Sequence, residues 1–287
     1  MKNLKKYLYP GLMVLFAIVF LVSAGILVDY FVKSGKQQDQ YDDLSNMVQQ
    51  NSTKPSTTPS GSTEATTDSS DPTAPTGPAS SHVEVTHPVT GKPVSVLREY
   101  AEVFLLNSDM AGWIRVDGTN IDYPVMQTPD RDSYYLKRNF YKEYSKHGCI
   151  YTEEQADLQK PSDNVTIYGH NMSDGSMFAA LHKYRDASFY KENPTFTFDT
   201  IYEHHTYQII AVFDADFRDK NNSFYYHIFI DGTEKEFDYY VSECHRRALY
   251  DTGVTAEYGD KLITLSTCDK DYSNDYGRFV VVAKRIS

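Results

Sequence analysis

Cys268 and Arg278 stand ten residues apart, the first closing one apolar run and the second opening another. Thr264-Leu265-Ser266-Thr267-Cys268 reads as the end of one strand and Arg278-Phe279-Val280-Val281 as the start of the next, so the two side chains would face each other across a sheet. A thiolate can attack a carbonyl carbon there, while a guanidinium holds the substrate backbone or the developing oxyanion. Such acyl chemistry also needs a group that moves protons. Val165-Thr166-Ile167-Tyr168-Gly169-His170 supplies one, a β-branched and aromatic run followed by Gly and then a histidine at the strand exit. Free cysteine has a pKa of about 8.5 and is mostly thiol at neutral pH, so His170 and Arg278 are also the cations that could stabilise a thiolate.

Other elements must hold these three residues in place. Leu97, Tyr100, Ala101, Phe104 and Leu105 recur at helical spacing, predicting a short helix that ends near Asn107. Trp113–Val116 and Ile121–Met126 read as strands joined by Asp117-Gly118-Thr119-Asn120, a hairpin signal. After the histidine, Met177, Phe178, Leu181 and Tyr184 suggest a helix, followed by strands around Thr195–Asp199 and Tyr207–Phe213. From Glu234 to Tyr250 the period becomes helical, with Phe237, Tyr240, Val241, Cys244 and Ala248 on one face and Gly253 placed as a stop. Most of the remaining elements read as strands, which makes the class mainly β, of the α+β kind.

Composition divides the chain of 287 residues. It holds 15 Phe, 24 Tyr and one Trp, yet none between Tyr41 and Tyr100, and Asn51 to Ser81 is dominated by Ser, Thr and Pro. Residues 33–95 are therefore expected to be a disordered tether. Residues 7–28 carry no charge and follow Lys2, Lys5 and Lys6. A helix of that length spans about 33 Å, enough for a bilayer core. The expected order is a cytoplasmic stretch 1–6, a single-pass signal-anchor 7–32, the tether 33–95 and a folded domain 96–287 outside the membrane, although the small residues Val22-Ser23-Ala24-Gly25 leave cleavage open. The net charge of −11 argues against a nucleic-acid partner. Cys149, Cys244 and Cys268 form no C-x-x-C pair, so a bridge between the first two and a pair of buried thiols both remain open. His204-His205 and Cys244-His245 are adjacent and would point to opposite faces of a strand, so no metal site and no cofactor is expected.

Thr264 to Cys268, Arg278 and His170 together resemble the sortases, membrane-anchored cysteine transpeptidases of Gram-positive bacteria. That family carries a T-L-x-T-C nucleophile motif, an arginine shortly after it and a histidine roughly a hundred residues before it. The likeness covers about residues 96–287, and Ser266 and the helix before the nucleophile strand are most similar to class B. It implies a closed β-barrel of about eight strands with an N-terminal helix and a helix inserted beside the site. It also implies that Cys268 forms a thioester with a Thr of a C-terminal sorting signal, His170 protonates the leaving amine, and an amine of a peptidoglycan precursor or a pilin takes the acyl group. Surface proteins bearing such a signal would be the partners. Asp132 and Leu136 lie where class B members place an Asn and a Leu that contact the signal, and Ser266 would line the pocket. The competing readings are a cysteine hydrolase using the same site and a non-catalytic surface-binding domain on the same scaffold.

Overall fold

The computed structural model describes residues 2–53, 81–128, 130–131, 133–216, 224–268 and 277–287 and divides into two units, residues 1–43 and 44–287. The first is the N-terminal part of helix α1 (Lys2–Thr53), which is long and apolar enough to cross a membrane. Leu, Val, Ile and Phe side chains from Leu12 to Val32 are exposed along it, and Lys33 pairs with Asp29 one turn back.

The tether expected over residues 33–95 is ordered at both ends. Helix α1 runs on to Thr53 because residues 36–53 contain neither Gly nor Pro and are rich in Gln. Within the second unit Leu44 and Val48 are buried, and Ser45 donates its hydroxyl hydrogen to Asp122 at 2.7 Å. Strands β1 (His82–Thr86) and β2 (Pro93–Leu97) form an antiparallel ribbon before the expected start at residue 96. Its alternating valines, Val83, Val85, Val94 and Val96, are a half-buried strand signal that the sparse aromatics conceal. Residues 54–80 lie outside the described residues.

A short 3-10 turn and α2 (Ala101–Leu106) follow, ending before Asn107 as the spacing predicts. Eight strands then build a closed barrel: β3 (Met110–Val116), β4 (Ile121–Met126), β5 (Ile150–Thr152), β6 (Asn164–Tyr168), β7 (Thr195–Thr200), β8 (Thr206–Asp216), β9 (Leu262–Cys268) and β10 (Gly277–Arg285). Their order around the barrel is β10-β8-β7-β3-β4-β5-β6-β9. Two neighbouring pairs, β4 with β5 and β6 with β9, are parallel and the others antiparallel. Parallel pairing matters because it brings the C-terminal ends of β6 and β9 out at the same rim.

Between β6 and β7 the expected helix is a 3-10 segment, Phe178–Arg185, followed by α3 (Ala187–Glu192). The buried residues Phe178, Leu181 and Tyr184 recur every third position, the period of a 3-10 helix rather than an α-helix. Helix α4 (Glu234–Arg247) opens on a capping box between Thr233 and Glu236 and buries Phe237, Tyr240, Val241 and Cys244. That stripe packs against Ile210, Phe213, Val280 and Val282 on the outer face of the barrel. Burying each such side chain stabilises by about 1.5–3 kcal/mol. Gly253 does not stop the helix: the chain leaves it at Ala248, and the next amide, of Leu249, is drawn to the Val212 carbonyl at 2.8 Å.

Candidate active site

Register alone assembles the three candidate residues. Arg278 is the direct antiparallel partner of Cys268, and Tyr168 is the parallel partner of Ser266. Two residues past that pair, His170 and Cys268 leave their strands side by side. Thr264, Ser266 and Cys268 share one face of β9, as do Arg278, Val280 and Val282 on β10. Helix α4 covers the lower part of this face, and its upper part opens into a cavity of about 560 Å3. His170, Cys268, Arg278, Leu136 and Ser266 all line that cavity. Asp132 lies outside the described residues, as do Asp269, Asp271 and Asp275.

Gly169 is what lets the chain turn between Tyr168 and His170. A Cβ there would sit 2.5 Å from Ile150 Cδ1 and 2.6 Å from Phe178 Cγ, so no larger residue fits without moving the barrel wall. Beyond it, His170 donates Nε2–H to the Leu136 carbonyl at 2.7 Å, and the His170 carbonyl accepts from the Phe178 amide at 2.9 Å. The Leu136 carbonyl belongs to the 3-10 turn Tyr134–Lys137. Gly148 holds that turn from behind with φ +60°, its missing Cβ leaving room for the Leu136 oxygen that would otherwise lie 2.6 Å away. His147 then ties the same region to the loop after His170 through Asp174, 2.7 Å from Nε2. Leu136 thus serves through its backbone as well as its half-buried side chain. Its carbonyl fixes the ring so that Nδ1 is the nitrogen free of that bond.

Strand β9 is clamped at its last residue. Asn171 donates Nδ2–H to the Cys268 carbonyl at 2.9 Å, and His182 Nε2 lies 3.3 Å from the same oxygen. Arg185 donates to His182 Nδ1 at 3.3 Å, Asn171 Nδ2 lies 3.0 Å from His182 Nε2, and Arg185 is itself held bidentately by Asp214 at 2.7 and 3.0 Å. The His182 ring stacks on Phe279, with centroids 4.7 Å apart. Below the cysteine, the hydroxyls of Tyr226 and Ser266 are 2.7 Å apart, and Tyr240 meets Thr264 at 2.6 Å. Ser266 is buried and lines the cavity, and its hydroxyl is engaged by Tyr226.

Three further cavity groups were not indicated by the sequence pattern. His227 has its pKa lowered by burial and by the charge of Arg278, which keeps it neutral beside the cation. Glu153 is pushed up to about 7 by burial, against the opposing hydrogen bonds of Thr166 and Tyr168. Tyr151 and Tyr168 stack with centroids 5.4 Å apart along the same wall. Cys149 and Cys244 are unbridged and fully buried, and burial pushes the Cys244 thiol up, so Cys268 is the one partly exposed thiol.

A sequence model of the sortase domain matches residues 114–286. Sortase B of Listeria monocytogenes is 34% identical over 189 residues, covering 66% of this chain and 74% of that protein. The X-ray structure of Clostridium perfringens sortase B is 31% identical, with a TM-score of 0.59 over 65% of this chain and 99% of that one. The Staphylococcus aureus sortase B–substrate complex, at 23% identity, shares the fold with a TM-score of 0.68 over 89% of this chain and 99% of that one.

Proposed function

Because this chain belongs to the sortase family of cysteine transpeptidases and is of class B, we propose that it joins surface proteins to an amine acceptor through a thioester on Cys268. The observation that carries this reading is the register: Arg278 directly opposite Cys268, with His170 at the exit of the adjacent parallel strand and all three on one cavity.

The Cys268 thiolate adds to the carbonyl carbon of a Thr in the bound signal, and the oxyanion or the adjacent substrate backbone is held by Arg278. The tetrahedral species collapses as the C–N bond breaks, and the leaving amine takes a proton from His170. With Nε2–H committed to Leu136, Nδ1 is the atom that carries this proton. An acceptor amine then attacks the thioester, gives a proton back to His170, and expels the thiolate. Asn171 and His182 keep the Cys268 carbonyl still while its side chain passes through these states. The signal-bearing protein is the acyl donor and a peptidoglycan-precursor or pilin amine the acceptor. Residues 7–32 anchor the chain in the membrane with residues 1–6 inside and the barrel outside, which puts the cavity where such donors and acceptors meet.

The test is intact-protein mass spectrometry of the detergent-solubilised chain with sorting-signal peptides, with and without triglycine or a diaminopimelate-bearing amine. An acyl adduct on Cys268 that is discharged onto the amine supports the reading. Discharge to water alone, whatever the amine, makes the protein a hydrolase, and no adduct with any peptide refutes the assignment.

A further inference from the structure

Glu153 continues β5 past its last residue, its amide bonded to the Thr166 carbonyl at 3.4 Å. This puts it beside Thr166, in the row that holds Thr264 on β9, whereas Cys268 stands two rows higher on the same face. Its side chain lines the same cavity as Cys268, and Tyr168 donates its hydroxyl hydrogen to Oε1 at 3.4 Å. Among the described residues no cation pairs with it. The cavity's other cation, Arg131, is engaged with Asp130 and Asp109 and lies over the Tyr134 ring. Arg278 stands in the Cys268 row, at the opposite end of the wall.

Two rows along a strand are about 13 Å and two strands across about 10 Å, so Glu153 lies on the order of 16 Å from the nucleophile. An extended peptide covers that distance in about four or five residues. A carboxyl that burial has lifted to about 7 gains from any ligand that replaces its lost hydration with a positive charge.

We infer that Glu153 is a specificity residue that reads the signal about four or five residues before the scissile bond and selects a cationic side chain there. This rests on the cavity being the signal-binding site proposed above. The sequence in the signal that would satisfy it is a Lys or Arg upstream of the Thr, with Glu at that position the worst substrate.

The experiment measures kcat/KM of the full-length protein for peptides carrying Lys, Leu or Glu in turn at the fourth, fifth and sixth positions before the scissile bond, in wild type, Glu153→Gln and Glu153→Lys. At one position the wild type should prefer Lys over Leu by about tenfold, expressed in KM, as one desolvated charge pair provides. The ratio should fall to near unity in Glu153→Gln and invert toward the Glu peptide in Glu153→Lys. Ratios, not absolute rates, are compared, so a loss of overall activity does not obscure the result. Equal use of the three peptides at every position by the wild type, or a Lys preference that survives Glu153→Gln, overturns the inference. Failure of every peptide to acylate Cys268 overturns the proposed function itself, and the adduct mass tells these two failures apart.

Discussion

The two ends of the barrel treat a histidine in opposite ways. At the base, in the β7–β8 connection, His204 is gripped by two carboxylates, Asp199 at 2.8 Å and Glu99 at 2.9 Å. At the rim, His170 has a backbone carbonyl as its ring partner and, among the described residues, no carboxylate. A carboxylate pair fixes a ring in its charged form, whereas a carbonyl orients the ring and leaves the protonation of the other nitrogen to the substrate. The difference teaches that charge pairing is used here where a proton should stay, and a neutral partner at the proposed proton carrier. The proposed nucleophile follows the same logic: among the described residues Cys268 is held by contacts to its carbonyl, with no hydrogen bond to its sulfur.

The sharpest break of this contrast comes from removing the rim groups. Cys268→Ala should lower turnover by about 10^4-fold or more, and His170→Ala by nearly as much, because Cys268 is the one partly exposed thiol and His170 leaves the strand directly beside it. Arg278→Ala should cost about 10^2 to 10^3, the size of a lost oxyanion-hole donor. Each is measured as the rate of Cys268 acylation and of amine transfer, with thermal unfolding as the check on folding. Residual acylation in Cys268→Ala would end the assignment. If Arg278→Ala raised KM alone, the guanidinium would be holding substrate backbone rather than developing charge.

Asn171 sharpens the comparison without touching the reacting atoms. Asn171→Ala removes one donor from the Cys268 carbonyl and leaves His182, so kcat should drop about tenfold with KM nearly unchanged. Stability should fall by about 1 kcal/mol. A change confined to melting temperature would make the residue structural only. Tyr226→Phe is the smaller companion: it leaves the buried Ser266 hydroxyl without its 2.7 Å partner and should cost about 1–2 kcal/mol of stability, with less effect on turnover.

What could be read in the sequence was local. The Cys268–Arg278 spacing sets an antiparallel register across one connection, and the Tyr-Gly-His order places a histidine at a strand exit, so both were legible from a few adjacent residues. The face of α4 was equally plain from its period. The parallel pairing of β6 with β9, about a hundred residues apart, has no local signature, and it alone brings His170 beside Cys268. For the same reason Glu153, His182 and the adjacent Tyr226 and His227 carried no signal, since they reach the site from three other connections. The ordered ends of the expected tether have no aromatic signature: the valines of β1 and β2 and the Gln-rich end of α1 need none.

The smallest expected effect lies at the base and isolates the contrast most cleanly. Hydrogen bonds donated to Asp199 and then Glu99 push His204 up to about 10, against a value near 6.5 in an unfolded chain. Below about pH 6.5 both states hold the proton and its contribution to stability is complete. Between about pH 6.5 and 10 the folded state keeps a proton that the unfolded state releases, so this contribution declines as pH rises and is gone above the folded value. Asp199 and Glu99, whose pKa values are lowered in spite of burial because His204 bonds to each, contribute in the opposite sense: their share is present above the ordinary carboxylate range and is lost as pH falls. His204→Gln should therefore flatten the decline of melting temperature between about pH 7 and 9.5, by no more than about 1 kcal/mol because the ring is more than half exposed. The pH profile of acylation should not move, since the variant leaves the rim unchanged. An unaltered stability slope would show that the base histidine is not held charged, and a displaced activity profile would show that the two ends are electrostatically coupled rather than separate.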